Sequence, residues 1–183
     1  MEENIIINLQ SASNEFYDVF FKIISHAVSW IGALIIFFVI LMFVNKKFGL
    51  TFGFGLLGIV GVNYLIKMIV NRPRPFEVNE LIINKLSTIG MSFPSGHMVS
   101  ATFIVCSVLF LIRQILKNKN SKLKNNKWIW TSLFIAGAII ILLAGLSRMY
   151  LGQHYLTDLI GGFVVGILGF IITCQIYKKV EKK

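Results

Sequence analysis

Long apolar runs alternate with short polar clusters along this chain, and the runs have the length of membrane helices. Segments 27–44, 48–66, 128–146 and 159–177 contain no charged residue. A bilayer core about 30 Å thick takes roughly 20 residues of α-helix, so each segment reads as a span. Segment 98–112 is uncharged but shorter. Its helix is expected to begin near Pro94–His97 and to run past Arg113, whose long side chain can reach back to the headgroups. Segment 15–24 (EFYDVFFKII) spaces apolar residues as a helix does, interrupted by Asp18 and Lys22. It predicts either an interfacial helix or an extension of the first span, and its charges disfavour a sixth full span without removing that option. The first 26 residues lack the basic start and small-residue cleavage site of a secretory signal, so no cleavage is expected. The pattern predicts an all-α integral membrane bundle with five transmembrane helices, six at most, plus an N-terminal interfacial helix. Residues 1–183 are expected to form one membrane-embedded domain.

Composition strengthens this reading. The chain is 56% hydrophobic with mean hydropathy +0.76, too apolar for a water-facing globule. A net charge of +10 raises the question of nucleic acid, but the densest basic run, 113–127, lies between two spans. Positive-inside bias accounts for it. That loop, Lys46, Lys47 and the tail Lys178, Lys179, Lys182 and Lys183 then lie in the cytoplasm, and the acidic N-terminus lies outside. A cell-membrane protein with a cytoplasmic C-terminus is expected, with the bilayer as partner and no nucleic acid. Cys106 and Cys174 fall within spans and are expected to be buried thiols rather than a disulfide or metal ligands. Gly161, Gly162, Gly166 and Gly169 are expected to let the last helix pack closely.

Three polar clusters remain, at 67–75 (KMIVNRPRP), 94–97 (PSGH) and 147–158 (SRMYLGQHYLTD). Counting spans brings all three to one leaflet, the outer one. The second span ends at Lys67, the third begins after His97, the fourth ends at Ser147 and the fifth begins at Asp158. Headgroup anchoring explains single Lys and Arg residues and stays open for Lys85. It does not explain two histidines, serines, a carboxylate and several cations on one side.

The chemistry follows from spacing. His154 and Asp158 are four apart, so the carboxylate can hold one imidazole nitrogen and leave the other free, which makes His154 the candidate nucleophile. His97 follows Ser95 and Gly96 at a helix start, where backbone N–H groups and the dipole favour an anion. A histidine beside that cradle can protonate a leaving alkoxide. Lys67 and Arg74 are separated by a stop at Pro73 and Pro75 that lets both point to one spot. With Arg148 they provide three cations, a match for the equatorial oxygens of a phosphoryl group in transfer. Arg72 is either a fourth such cation or a headgroup contact. No acidic cluster suits Mg²⁺ or Zn²⁺, so metal-independent chemistry is expected and no metal site or cofactor is assigned.

Lys67…Arg74-Pro75 as K-x6-RP, Pro94 to His97 as PSGH, and Ser147-Arg148…His154…Asp158 as SR-x5-H-x3-D resemble the three signature motifs of the type 2 phosphatidic acid phosphatase superfamily. All fixed identities are present, in order, across about half of the chain. The resemblance implies a helical-bundle phosphatase, related in its core to vanadium haloperoxidases, that removes phosphate from lipid phosphates or diphosphates without a metal. It implies that His154 attacks phosphorus to form a phosphohistidine, that Asp158 orients His154, and that His97 protonates the leaving group. Lys67, Arg74, Ser95, Gly96 and Arg148 would bind the phosphoryl oxygens. Undecaprenyl diphosphate, phosphatidylglycerol phosphate and phosphatidic acid are the implied substrate types. The alternative is a catalytically silent lipid-phosphate-binding or transport protein. The oligomeric state is left open.

Overall fold

Asparagines open three of the helices. Asn14, Asn45 and Asn126 each accept, through the side chain, from backbone N–H groups of the turn that follows, meeting donors that a first turn leaves without partners. The computed structural model describes residues 2–86, 88, 90–118 and 125–182. Regular structure among them is helical throughout: α1 Glu2–Ser11, α2 Glu15–Ala27, α3 Trp30–Phe43, α4 Lys46–Val70, α5 Pro75–Val78, α6 Gly96–Asn118, α7 Lys127–Tyr150 and α8 Leu156–Glu181. Helices α4, α6, α7 and α8 have 25, 23, 24 and 26 residues, about 35–39 Å each, and each is apolar enough to cross a bilayer. They correspond to the runs 48–66, 98–112, 128–146 and 159–177. As the sequence suggested, α6 starts at Gly96 and continues beyond Arg113. The basic run 113–127 lies partly outside the described residues, at 119–124.

The first expected span is corrected. Segment 27–44 is not one helix from Ala27: α2 ends there, α3 begins at Trp30, and the two axes differ by 51°. Ser29 takes the N–H of Gly32 on its hydroxyl, so the helix restarts. Gly32 also approaches the previous helix closely, since a Cβ there would lie 2.5 Å from the Ala27 carbonyl oxygen. With 14 residues α3 is about 21 Å long, so four helices are long and apolar enough to cross by themselves, and a fifth crossing requires the bent pair α2–α3 taken together.

Packing brings the ends of the long helices together. α8 lies against α6 and α4, α7 against α6, and α3 against α4. Gly162 and Gly166 let α8 touch the start of α6: a Cβ at these positions would sit 2.5 Å from the Ser95 carbonyl oxygen and 2.8 Å from that of Val99. The end with Lys46, Lys47 and the α8 C-terminus is filled by packed aromatics, including Phe48 stacked on Phe52 at 4.1 Å and Tyr177 against both. A second core of Ile6, Ile82, Met98, Ala144, Met149, Tyr155 and Leu159 lies at the end that carries the polar clusters. Cys106 is half-buried, Cys174 is buried, and neither is in a disulfide.

Helix α1 was not anticipated. It docks on that second core through the fully buried Ile6, one turn before Gln10, whose amide donates to the carbonyls of Ile83 and Tyr150 and accepts from the Ile83 N–H. Lys85, left open above as a headgroup anchor, instead binds Asp18 of α2 at 2.9 Å.

Candidate active site

The site forms where four long helices end or begin. α4 stops at Asn71, which takes the left-handed conformation (φ 46°) while its N–H still reaches the Lys67 carbonyl. Asparagine tolerates that region better than most residues. The chain therefore turns at once, and Arg74 becomes the N-cap of α5, its N–H held by Glu77 at 2.8 Å. Arg74 is thus brought back over Lys67, as the proline pattern predicted. Its guanidinium donates from Nε to the Gly90 carbonyl (2.8 Å) and from one terminal nitrogen to the backbone and side-chain oxygens of Gln153 (both 3.1 Å). Lys67 Nζ donates to the carbonyls of Met91 (2.7 Å) and Ser92 (3.3 Å).

Lys67, Arg74, Gly96, His97, Arg148 and His154 line one cavity of about 290 Å³. Ser95 and Asp158, both fully buried, stand behind its wall and are tied to each other by the Ser95 N–H to the Asp158 carbonyl at 3.0 Å. The structure thus gathers all eight residues singled out from the sequence. His154 lies in the short segment between α7 and α8, two residues before α8 begins. Its Nδ1 is 3.6 Å from Asp158 Oδ2, facing the carboxylate but beyond hydrogen-bond length; such contacts often tighten only with substrate bound.

Burial decides the charge of His154. Loss of solvent pushes its imidazole well below the ordinary histidine value, and Arg148, Arg74 and Lys67 push the same way. All of these favour the neutral imidazole, and a backbone contact with Ser92 opposes them. Several buried polar atoms in the site have no partner: Nδ1 of His154, Nε of Arg148, Oδ1 of Asn63, and the hydroxyls of Ser95 and Ser100. Buried polar atoms are almost always paired, so this concentration marks a place built for a polar ligand.

The geometry corrects one reading and adds residues. Arg72 is not free for phosphate or headgroups. It donates to Asp158 Oδ1 at 2.7 Å and to Thr157 at 2.6 Å, pairs with Glu2 at 3.2 Å, and stacks 4.0 Å over the Tyr155 ring. The other Asp158 oxygen accepts from the Tyr155 N–H at 2.9 Å. Glu2 also takes the Thr157 N–H, which pins α1 beside the start of α8. Gln153, fully buried, was missed: its Oε1 accepts from Arg74 and Thr88, and its amide donates to Asn84. Position next to His154 was its sole signal. Among the described residues, no three His, Cys, Asp or Glu side chains are placed to hold a metal ion.

A family model described as the PAP2 superfamily matches residues 48–182. The chain belongs to the PAP2 superfamily. Among PAP2 relatives, phosphatidylglycerophosphatase B of Bacillus subtilis is 29% identical over 123 residues, covering 66% of this chain and 54% of the relative. Undecaprenyl-diphosphatase BcrC of the same organism is 35% identical over 120 residues, covering 64% of this chain and 53% of the relative. The chain thus spans about half the length of the curated relatives it matches. The fold is that of a crystallised transmembrane PAP2-type phosphatidylglycerolphosphate phosphatase from Bacillus subtilis, with TM-score 0.72 and 24% identity, covering 98% of this chain and 85% of that one.

Proposed function

We propose that this protein is an integral membrane lipid phosphatase that hydrolyses the phosphomonoester or diphosphate end of a membrane lipid through a phosphohistidine, without a metal ion. Residues 1–183 act as one such domain in this reading. The observation that carries it is the set of unpartnered buried polar atoms on a cavity lined by three cations and two histidines. The relatives named as phosphatidylglycerophosphatase and undecaprenyl-diphosphatase support lipid phosphates as the substrate class.

In this mechanism the phosphoryl oxygens lie among Lys67, Arg74, Arg148, Ser95 and the start of α6 at Gly96. Charge building on those oxygens is met by groups already in place, usually the largest part of such catalysis. Neutral His154 attacks phosphorus with one ring nitrogen while Asp158 faces the other and steadies the imidazolium that forms. His97 gives its proton to the departing oxygen. Water then attacks the phosphohistidine with His97 as base, and phosphate leaves. The basic residues at the other end of the bundle favour an outward-facing site and a cytoplasmic C-terminus.

Phosphate release by the purified protein, measured across lipid monophosphates and diphosphates in EDTA, tests the proposal. Turnover should persist under chelation and be inhibited by vanadate bound in the phosphoryl cradle. Binding of these lipids without release would instead support the silent lipid-phosphate-binding alternative. Loss in EDTA restored by Mg²⁺ would overturn metal independence.

A further inference from the structure

Two polar residues on the membrane-ward side of the cavity have no task in this mechanism. α4 runs toward the site, so Asn63 lies one turn deeper than Lys67; α6 runs away from it, so Ser100 lies one turn deeper than Gly96. Both line the cavity. Asn63 is 6% exposed and Ser100 is 0% exposed, and neither the Asn63 Oδ1 nor the Ser100 hydroxyl has a partner. Ser107, Ser147 and Thr173 are also buried in helices, yet each returns its O–H to a carbonyl three or four residues back. Ser100 does not. Thr102 is likewise unpartnered but lies against Gly166 of α8. The Asn63 amide also reaches the phosphate cradle, since its nitrogen is 3.3 Å from where a Cβ on Gly96 would be.

A lipid held with its phosphoryl group among Lys67, Arg74 and Arg148 must extend its tail toward the membrane interior, past Asn63 and Ser100. We propose that these two side chains form a leaving-group subsite that hydrogen-bonds the polar group joining the transferred phosphoryl to the tail, best met by the inner phosphate of a lipid diphosphate. This rests on the lipid phosphatase reading above. The donors to two non-bridging oxygens are the Asn63 Nδ2, which lies beside Gly96, and the Ser100 hydroxyl, while the unpartnered Asn63 Oδ1 can only accept, from a protonated oxygen of the ligand; a monophosphate esterified to a hydrocarbon offers only carbon beyond its scissile bond. In the step itself the bond between the outer phosphorus and the bridging oxygen breaks and a His154 nitrogen–phosphorus bond forms. The lipid phosphate leaves with the electron pair and takes the proton of His97. The subsite holds the group whose charge is rising, so its hydrogen bonds strengthen in the transition state.

The test compares Asn63→Leu and Ser100→Ala with the parent on a polyprenyl diphosphate and on the monophosphate of the same polyprenol. Each variant removes an unpaired buried polar group, so folding and thermal stability should hold or improve. For each variant kcat/KM on the diphosphate should fall about tenfold more than on the monophosphate, the value of one hydrogen bond to a charged group. Where the parent cleaves only the diphosphate, the vanadate inhibition constant replaces the monophosphate as the comparison and should move far less than kcat/KM. Equal losses on both readouts, or no loss on the diphosphate, would overturn the subsite while leaving the phosphatase reading intact. A parent protein that releases phosphate from neither lipid overturns that reading itself, and the subsite with it.

Discussion

Replacing Arg72 by glutamine removes the charged support behind the proposed nucleophile without touching the cavity. Asp158 is fully buried, and its carboxylate accepts from Arg72 at 2.7 Å and from the Tyr155 N–H at 2.9 Å. The Arg72 side chain is 29% exposed, so one flank of the pair is screened and the roughly 3–5 kcal/mol for breaking a wholly buried pair is too large. A charge-assisted hydrogen bond, worth about 1.5–3 kcal/mol, is the better measure. If that energy serves to aim Asp158 at His154 during attack, Arg72→Gln should lower kcat by about 10- to 150-fold. That is less than the roughly 10⁴-fold seen when the equivalent carboxylate of a serine protease triad is neutralised. KM should change little, and Arg72→Lys should recover part of the rate, keeping the charge but not the planar guanidinium that binds Asp158 and Thr157 through one terminal nitrogen and Glu2 through the other. Steady-state phosphate release from one lipid phosphate by the three proteins decides the matter. A raised KM with unchanged kcat would show that Arg72 does not act through Asp158 and would return it to the phosphate-binding cations.

Two further predictions follow from the same geometry. Because burial and three cations hold the His154 imidazole below its ordinary value, the acid limb of kcat/KM should lie below about pH 6.5; a limb above pH 7 would contradict a neutral, cation-flanked nucleophile. The sign for stability is the same, since the unfolded chain takes up that proton first and the contribution is lost as pH falls below about 6.5. On topology, with Cys106 and Cys174 replaced by alanine, an impermeant thiol reagent applied to intact cells should label Leu81→Cys and spare Lys182→Cys. The reverse pattern would place the site on the cytoplasmic face.

Much of this architecture could be read from the chain because the determining signals are local or countable. Charge-free length marks α4, α7 and α8, and the alternation of spans alone requires Lys67, His97, Arg148 and His154 to meet at one end. The bend before α3 left no such signal: hydropathy is continuous through Val28 and Ser29, and only the hydroxyl of Ser29 on the Gly32 N–H restarts the helix. Arg72 and Arg74 look equivalent in sequence. The left-handed turn at Asn71 separates them, sending one guanidinium to Asp158 and the other to Gln153. Helix α1 depends on partners far along the chain, Glu2 on Arg72 and Thr157, Gln10 on Ile83 and Tyr150. Asn63 and Ser100 lie inside apolar runs, where a single polar residue reads as a tolerated exception until the cavity beside it is seen.

In the proposed mechanism His154 carries the phosphoryl group during turnover, and that covalent state can be trapped. Protein quenched during hydrolysis of a ³²P-labelled lipid phosphate should hold acid-labile, base-stable label that maps to the peptide containing His154. His154→Ala should carry none and show no turnover, and Asp158→Asn should accumulate label far more slowly with the parent's affinity for vanadate. Label that persists in His154→Ala, or rapid turnover by that variant, would exclude His154 as the nucleophile.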